Sequence, residues 1–416
     1  EAPDAHLDTR QIFEFHFHQK LKYGCNPSQT PAVLCASEIE QIDNFPLKII
    51  QGKPGYINIM DALLGWQLVK ELSQVLSLPA AASLKHTSPA GVAIGLPLTP
   101  ELAKIYGLKD VDLENMTPMA NAFIRARNSD PMSSFGDFIS LSHTVDLATA
   151  KLIKKEVSDG VIAPGYDDDA LEVLKGKRNG NYLIMTMDPE YQNKNHIEFK
   201  EINGLVLGQP PNPHSINVDA LGDFITGKTE SELPLSIKQD LVIATLSLKY
   251  AQSNNVSYAY QGQLIGLAAG QQNRVDSVDL AGQKAATWFL RHHPKVIALD
   301  DYFKPGTKRP DKVNAKVLMI RGKWTPYQKK CWDDLFTSPP PELTWDESHT
   351  FLKKCTGASL SSDAFFPFRD SIDVASQFGA SYILHPGGSM ADDEIKKACQ
   401  EYDMTLIHSG QRLFYH

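Results

Sequence analysis

The 416-residue chain repeats itself. Its first half carries Ser83-Leu84-Lys85-His86, then Met132-Ser133-Ser134-Phe135-Gly136-Asp137-Phe138, then Asp146, then Pro164-Gly165 before an acidic stretch. Its second half carries Ser247-Leu248-Lys249-Tyr250, then Ser361-Ser362 before Phe365, then Asp373, then Pro386-Gly387 before Asp392 and Asp393. Each half reads as a strand ending in Ser-Leu-Lys, a Ser-Ser turn leading to Phe, an Asp before a helix, and Pro-Gly opening an acidic helix start. Such self-similarity predicts two related lobes. The Ser-Leu-Lys to Ser-Ser spacing is about 50 residues in one half and about 114 in the other. An insertion near 300–357, rich in Lys, Trp and Pro, takes up the difference.

Strand and helix signals alternate. Asp61 to Leu72 reads as an amphipathic helix with Leu64, Leu68 and Leu72 on one side, and Leu147 to Glu156 as a second, just after Asp146. Residues 159–165 and 380–388 read as short buried strands ending in turns. This alternation predicts an α/β fold with mixed or mostly parallel sheet. The expected divisions are an N-terminal arm at 1–20, a first lobe at 21–203, a connector at 204–234 and a second lobe at 235–416.

Composition narrows the class. At 42% hydrophobic and 22% charged the chain is ordinary globular protein, without an apolar run long enough to span a membrane or a signal peptide ahead of the first elements. It opens on Glu1 and not Met, so its numbering is expected to start inside a longer product. Five cysteines, at 25, 35, 331, 355 and 399, form no CxxC, which argues against a disulfide framework or a thiolate zinc site and for a reducing cytoplasm. A net charge of −8 disfavours a nucleic-acid surface. It leaves room for an anionic small substrate held by a few local cations.

The candidate chemistry starts at Lys85-His86. The pair follows Ala80–Ala82 and precedes Pro89 and Gly91, so it is expected to end a buried strand and enter a tight turn. A lone Lys-His is more often a solvated strand end; its company shifts the reading. Lys22-Tyr23-Gly24, Arg125 and Arg127, Asp159, Gln252-Ser253-Asn254, and Gln271-Gln272-Asn273-Arg274 all sit in turn-like polar clusters. Phe365, Phe366 and Phe368 read first as core. Together these residues suit a flat, polar heterocycle bearing a phosphate: amides read the ring edge, cations hold the phosphate, aromatic faces stack.

The strings SLKHTSPAG, MSSFGDF, VSDGVIAPGY, YAQSN, AAGQQNR, LRHHP, SDAFFPFRD and the terminal RLFYH occur here in one order. On them the chain, from about residue 20 to its end, resembles the AICAR transformylase domain of bifunctional purine-biosynthesis enzymes. The resemblance implies two cytidine-deaminase-like α/β lobes of mixed sheet flanked by helices. It implies formyl transfer from 10-formyltetrahydrofolate to the 5-amino group of AICAR, in purine (IMP) biosynthesis, with no redox cofactor and no catalytic metal. It assigns Lys85, His86, Asn254 and His416 to catalysis. It assigns Lys22, Tyr23, Ser133, Ser134, Phe135, Gly136, Asp159, Arg274 (read as lying in a loop), Arg412 and Phe414 to AICAR. It assigns Met132, Phe365, Pro367 and Asp370 to the folate. It further implies a homodimer with sites at the interface, and a monovalent cation (potassium) near the YAQSN and SDAF strings. Two departures stand out. Lys22 occupies a position where the family usually has a phosphate-binding Arg, which keeps the charge and loses the bidentate fork. A cyclohydrolase domain is missing, so a stand-alone transformylase or a piece of a bifunctional chain is expected.

Three other readings fit the sequence less well. A zinc deaminase has only His196-Ile197-Glu198 in its favour and lacks the downstream PCxxC. A non-catalytic nucleotide-binding module would not need Lys85, His86 and Asn254 together. An ATP-dependent formate ligase is expected to carry a phosphate-cradling loop, and no P-loop pattern occurs.

Overall fold

The computed structural model describes residues 14–36, 45–109, 113–193 and 197–416. The ribbon β1 (His16–Leu21) and β2 (Ala32–Ala36) precedes β3 (Leu47–Gln51) and helix α1 (Tyr56–Leu76). The first half continues with β4 (Ala80–Lys85), β5 (Ser88–Ile94), α2 (Pro118–Arg127) and β6 (Asp137–Leu141). It ends with α3 (Leu147–Lys155), β7 (Ser158–Ala163), α4 (Asp168–Lys175) and β8 (Leu183–Met187). A hairpin, β9 (Glu198–Ile202) with β10 (Leu205–Gln209), and β11 (Asp223–Thr226) come next. The second half holds α5 (Leu235–Lys249), β12 (Val256–Tyr260), β13 (Gln263–Ala268) and α6 (Arg274–Leu290). Beyond the insertion come β14 (Ala358–Ser362), α7 (Asp370–Ser376), β15 (Ala380–His385), α8 (Asp392–Glu401) and β16 (Thr405–His408).

Twelve of these strands form one mixed sheet in the order β11-β16-β15-β14-β12-β13-β5-β4-β6-β7-β8-β3. The antiparallel pair β13/β5 lies at its centre. Outward from this seam each half repeats one plan: a hairpin, an antiparallel neighbour, two parallel additions and an antiparallel edge strand. The parallel steps need crossovers, which α3, α4, α7 and α8 supply. β6 and β14 are buried along their whole length because helices cover both faces. Leu68 of α1 and Leu246 of α5 join Leu84, Ile94 and Leu384 on one face, while Phe123, Ile153 and Trp288 pack on the other. The insertion carries its own cluster around Phe303, Met319, Trp332 and Phe336. Among the described residues no helix is long and apolar enough to cross a membrane.

The repeat is real, and part of the string match that suggested it is misaligned. Ser247-Leu248-Lys249 ends α5 and not a strand. Buried Leu241, Ala244 and Leu248 recur there at helical spacing. Ser133 and Ser134 precede β6, whereas Ser361 and Ser362 close β14. Asp373 lies inside α7, not before it. Only the Pro-Gly steps are equivalent, following β7 and β15. The hairpins themselves match more closely. Gly91 of β5 and Gly266 of β13 sit where a Cβ would collide with a helix carbonyl, that of Ala126 or Ala281. The boundary drawn at 203/204 falls in the turn of the β9–β10 hairpin, and β11, within 204–234, edges the main sheet.

Candidate active site

In β5 and β13, Ala93 faces Gln263 in antiparallel pairing, so the start of β5 and the end of β13 share one edge of the sheet. The β4–β5 turn opens on that edge, as do the C-terminal ends of β14, β15 and β16. Two groups of the expected residues gather there.

The first group surrounds Lys85-His86. The two-residue turn His86-Thr87 has φ of 50° and 59°. Positive φ at both central residues suits a tight hairpin but is costly for a β-branched Thr. Asp61 of α1 compensates: its Oδ1 accepts the Thr87 N–H at 2.7 Å. Burial raises the Asp61 carboxyl to about 6, against the Thr87 hydrogen bond and the charges of His86 and Lys85, with Asp159 adding to the rise. His86 is exposed. Lys85 is half-buried and donates to the Gly136 carbonyl at 2.7 Å. Gly136 has φ +73°, and a Cβ there would lie 3.2 Å from the Lys85 ammonium. The 132–136 loop is pinned from below. Ser83 Oγ donates to Asp137 Oδ2 at 2.6 Å and lies in hydrogen-bond contact with Ser134 Oγ at 2.8 Å. Burial pushes Asp137 up to about 6, against Arg127 and Ser83. Ser134 is therefore buried, Ser133 donates to Asp130, and Phe135 stands out, 51% exposed. Met132 and Phe135 line a cleft of about 420 Å³ with Arg127, Glu156, Arg309 and Asn314. Asp159 pairs with Arg178 at 3.1 Å.

The second group centres on Asp363. Its carboxylate accepts from Ser253 Oγ and the Asn255 N–H and pairs with Arg274. Arg274 also donates to the Asn255 carbonyl at 2.9 Å and to Asn254 Oδ1 at 2.8 Å. Arg274, expected in a loop, is the first residue of α6 and buried, because Asn273 caps that helix by accepting the Asp276 N–H. The C-terminal tail docks on the same group: Leu413 N–H donates to the Asp363 carbonyl at 2.9 Å, and Tyr415 N–H to Ser253 Oγ at 3.1 Å. The tail sets Arg412 over the Phe414 ring at 4.8 Å and Phe414 against His416 at 5.6 Å. Nearby, His385 and His408 lie ring to ring at 4.7 Å, and burial, then His408 and Arg274, press His385 down to about 3.

Among the described residues no hydrogen bond joins the two groups. Lys22 and Tyr23 lie at the N-terminal end of α1, where Lys22 N–H donates to the Pro54 carbonyl and Tyr56 N–H to that of Tyr23. The Phe trio divides: Phe366 is core, while Phe365 and Phe368 are exposed. Pro367 is half-buried and Asp370 exposed at the start of α7. Sequence reasoning gave no role to Asp61 or Asp363. The sixth position of a helix and the SDAF string were their only signals. Among the described residues no three His, Cys, Asp or Glu side chains are grouped to hold a metal ion; His196 lies outside the described residues.

A model of the AICARFT/IMPCHase bienzyme family matches residues 3–284. The chain is 29% identical over 420 residues to the bifunctional purine biosynthesis protein PurH of Magnetococcus marinus, covering 100% of this chain and 62% of that protein. It is 28% identical over 400 residues to PurH of Xylella fastidiosa, covering 95% and 58%. To PurH of Buchnera aphidicola it is 29% identical over 409 residues, covering 97% and 60%. The chain thus spans about three-fifths of the length of these relatives.

Proposed function

The chain belongs to the AICARFT/IMPCHase bienzyme family, and from that premise we propose that it transfers the formyl group of 10-formyltetrahydrofolate to the 5-amino group of AICAR, a step of purine biosynthesis. The observation that carries this reading is the Lys85-His86 turn, a charged donor beside an exposed imidazole on a strained hairpin braced by a buried carboxylate.

The AICAR amine is conjugated to the carboxamide and is a weak nucleophile. As its nitrogen bonds the formyl carbon, His86 takes its proton. Lys85, aimed by the Gly136 carbonyl, stabilises the oxyanion of the tetrahedral intermediate. The bond from that carbon to the folate nitrogen then breaks, and the nitrogen leaves with a proton. The hydrogen bond from Arg274 to Asn254 Oδ1 leaves the Asn254 amide NH₂ available to donate to the formyl oxygen. Lys22, beside the N-terminus of the 21-residue α1, suits the substrate phosphate. Tyr23, Ser133, Phe135, Gly136, Asp159, Arg412, Phe414 and His416 complete the nucleotide side in this reading; Met132, Phe365, Pro367 and Asp370 take the folate. Ser134 and Arg274, both buried, act by holding neighbours.

The same reading brings a homodimer that completes the site, and two cytidine-deaminase-like lobes, which the repeated half-sheets support. It also brings a potassium ion near Asp363. Ser253 and Asp363 offer oxygens there, but Arg274 already balances the Asp363 charge, so no step is routed through a cation. The test is formyl transfer from 10-formyltetrahydrofolate to AICAR, followed by tetrahydrofolate release. Turnover that collapses in His86→Ala supports the reaction and its base. A folded dimer that binds both substrates without turnover sinks the reading.

A further inference from the structure

Among the described residues the Lys85 ammonium donates to the Gly136 carbonyl alone, so its aim depends on what fixes Gly136. The Gly136 N–H donates to the Val157 carbonyl at 2.9 Å. Arg127, the last residue of α2, donates to that same Val157 carbonyl at 3.3 Å and to the Pro131 carbonyl, at the entry of the 132–136 loop, at 3.4 Å. One guanidinium thus ties the entry of the loop to the strand end that holds its exit. Arg127 is buried between two carboxylates, Asp137 on the loop side and Glu156 on the other, each 3.7 Å away. At that distance neither contact is a hydrogen bond. Arg127 Nε and Asp137 Oδ1 are buried and have no hydrogen-bond partner among the described residues. A guanidinium free to move would close on one carboxylate in a bidentate pair, the stronger arrangement. The two carbonyls therefore set its place, and the acids balance its charge. Glu156 is held in turn from outside: its Oε1 pairs at 2.8 Å with Arg309, the first residue of the insertion helix Arg309–Arg321.

We propose that Arg127 is a positioning residue for Lys85: by gripping the Pro131 and Val157 carbonyls it fixes the Gly136 carbonyl, and through it the ammonium. The inference rests on the formyl-transfer reading for what Lys85 does. In that reading Lys85 meets a full negative charge only in the transition state, so an ammonium out of aim slows turnover and leaves ground-state binding alone. The planar fork is what the geometry requires, because an ammonium in its place reaches one carbonyl at a time. A buried, loosely paired charge adds little to stability, which leaves position as what Arg127 supplies. The insertion then has a function as well. Arg309 keeps the Glu156 carboxylate beside Arg127, so the insertion helix reaches the Lys85-His86 turn through two successive ion pairs.

The experiment measures formyl transfer to AICAR, in steady state and in single turnover, by the full chain carrying Arg127→Lys. This variant keeps the charge between Asp137 and Glu156 and loses one carbonyl contact. Its kcat should fall about tenfold, with the KM for AICAR within about twofold of the parent. The same substitution is then made in a Lys85→Met chain, whose slow reaction the single-turnover assay reads. There it should cost less than about twofold, because the group it aims is gone, whereas a role in the general shape of the loop would cost the same in both backgrounds. Glu156→Gln, which releases Arg127 on the insertion side, should lose about threefold with the same dependence on Lys85. It replaces Arg127→Lys should that variant melt early. Parental kcat in these variants, or an equal loss with and without Lys85, overturns the positioning role. No turnover by a folded parent overturns the formyl-transfer reading, and the positioning role falls with it.

Discussion

Two hairpin turns of this sheet are built alike and used differently. His86-Thr87 joins β4 to β5; Gln261-Gly262 joins β12 to β13. Each has positive φ at both residues, and each is followed by a glycine pressed on a helix, Gly91 or Gly266. Each receives a carboxylate from the sixth residue of the preceding helix, Asp61 of α1 or Asp240 of α5. The differences lie in what the turn must do. Asp240 accepts two turn N–H groups, from Gln261 at 2.9 Å and Gly262 at 2.7 Å, while Arg125 donates to the Gln261 carbonyl at 3.0 Å. Gly262 adopts its φ of +80° without strain. At the other turn Asp61 accepts one N–H, Thr87 takes the strained position, and His86 faces outward. The scaffold is fully tied down in one copy and leaves an exposed imidazole in the other, and strain retained at one of two equivalent positions supports the catalytic role proposed for this turn.

The largest expected effect separates the turns outright. His86→Ala should lower kcat by about 10²- to 10⁴-fold, the usual range for removing a general base. Gln261→Ala should leave kcat within about twofold, since that position meets no substrate in this reading. Comparable losses from both would break the distinction between a working and a structural turn.

Stability should rank the other way. Asp240→Ala strands two N–H groups and leaves buried Arg125 without a nearby opposite charge. A loss of about 2–4 kcal/mol in urea unfolding is expected. Asp61→Ala strands one N–H, and about 1–2 kcal/mol should suffice. Equal losses would show that the second hydrogen bond at Asp240 contributes nothing.

A smaller effect lies in the pH dependence. Burial raises Asp61 to about 6 and Asp240 to about 7. From near pH 4 up to those values the folded chain keeps protons that the unfolded chain has released. Stability therefore falls as pH rises through that window and levels off above it, by on the order of 1–2 kcal/mol per group after relaxation. Unfolding free energies at pH 4.5 and 7.5 measure it. An Asp61→Asn/Asp240→Asn chain should lose much of that slope, and an unchanged slope would assign it to other groups.

How far the sequence revealed this pairing depends on what a string can carry. Alternating apolar runs foretold the α/β sheet, and Lys85-His86 before Pro89 foretold the strand end and turn, because both are local patterns. The repeat was legible too, but only Pro164-Gly165 and Pro386-Gly387 marked equivalent places. Ser-Leu-Lys is too short to distinguish the end of a strand from the end of a helix. Asp61 stayed invisible because its partner, Thr87, is 26 residues away and offers only a backbone N–H, which has no residue type. Asp363 was hidden in the same way, its partners scattered over Ser253, Asn255 and Arg274. Arg274 lies in a polar string that suggests a loop, although Asn273 and Asp276 form a helix-start signal around it.

The finest test isolates charge from geometry at the two aspartates. Asn at 61 keeps an oxygen for the Thr87 N–H, so the turn should hold its shape and stability should barely change at pH 4.5, where the carboxyl is itself neutral. Asn at 240 must turn its NH₂ toward one of two N–H groups, so the same substitution should destabilise there. If Asp61 is only a brace, Asp61→Asn should leave catalysis untouched. If its charge also acts on the Lys85-His86 pair, kcat/KM should fall about threefold, roughly 0.7 kcal/mol of transition-state stabilisation. The contribution to the pH profile from a carboxyl titrating near 6 should then vanish, with the KM for AICAR unchanged. An unaltered profile would reduce Asp61 to the structural role that Asp240 already plays, and the two turns would differ only in the residues they carry.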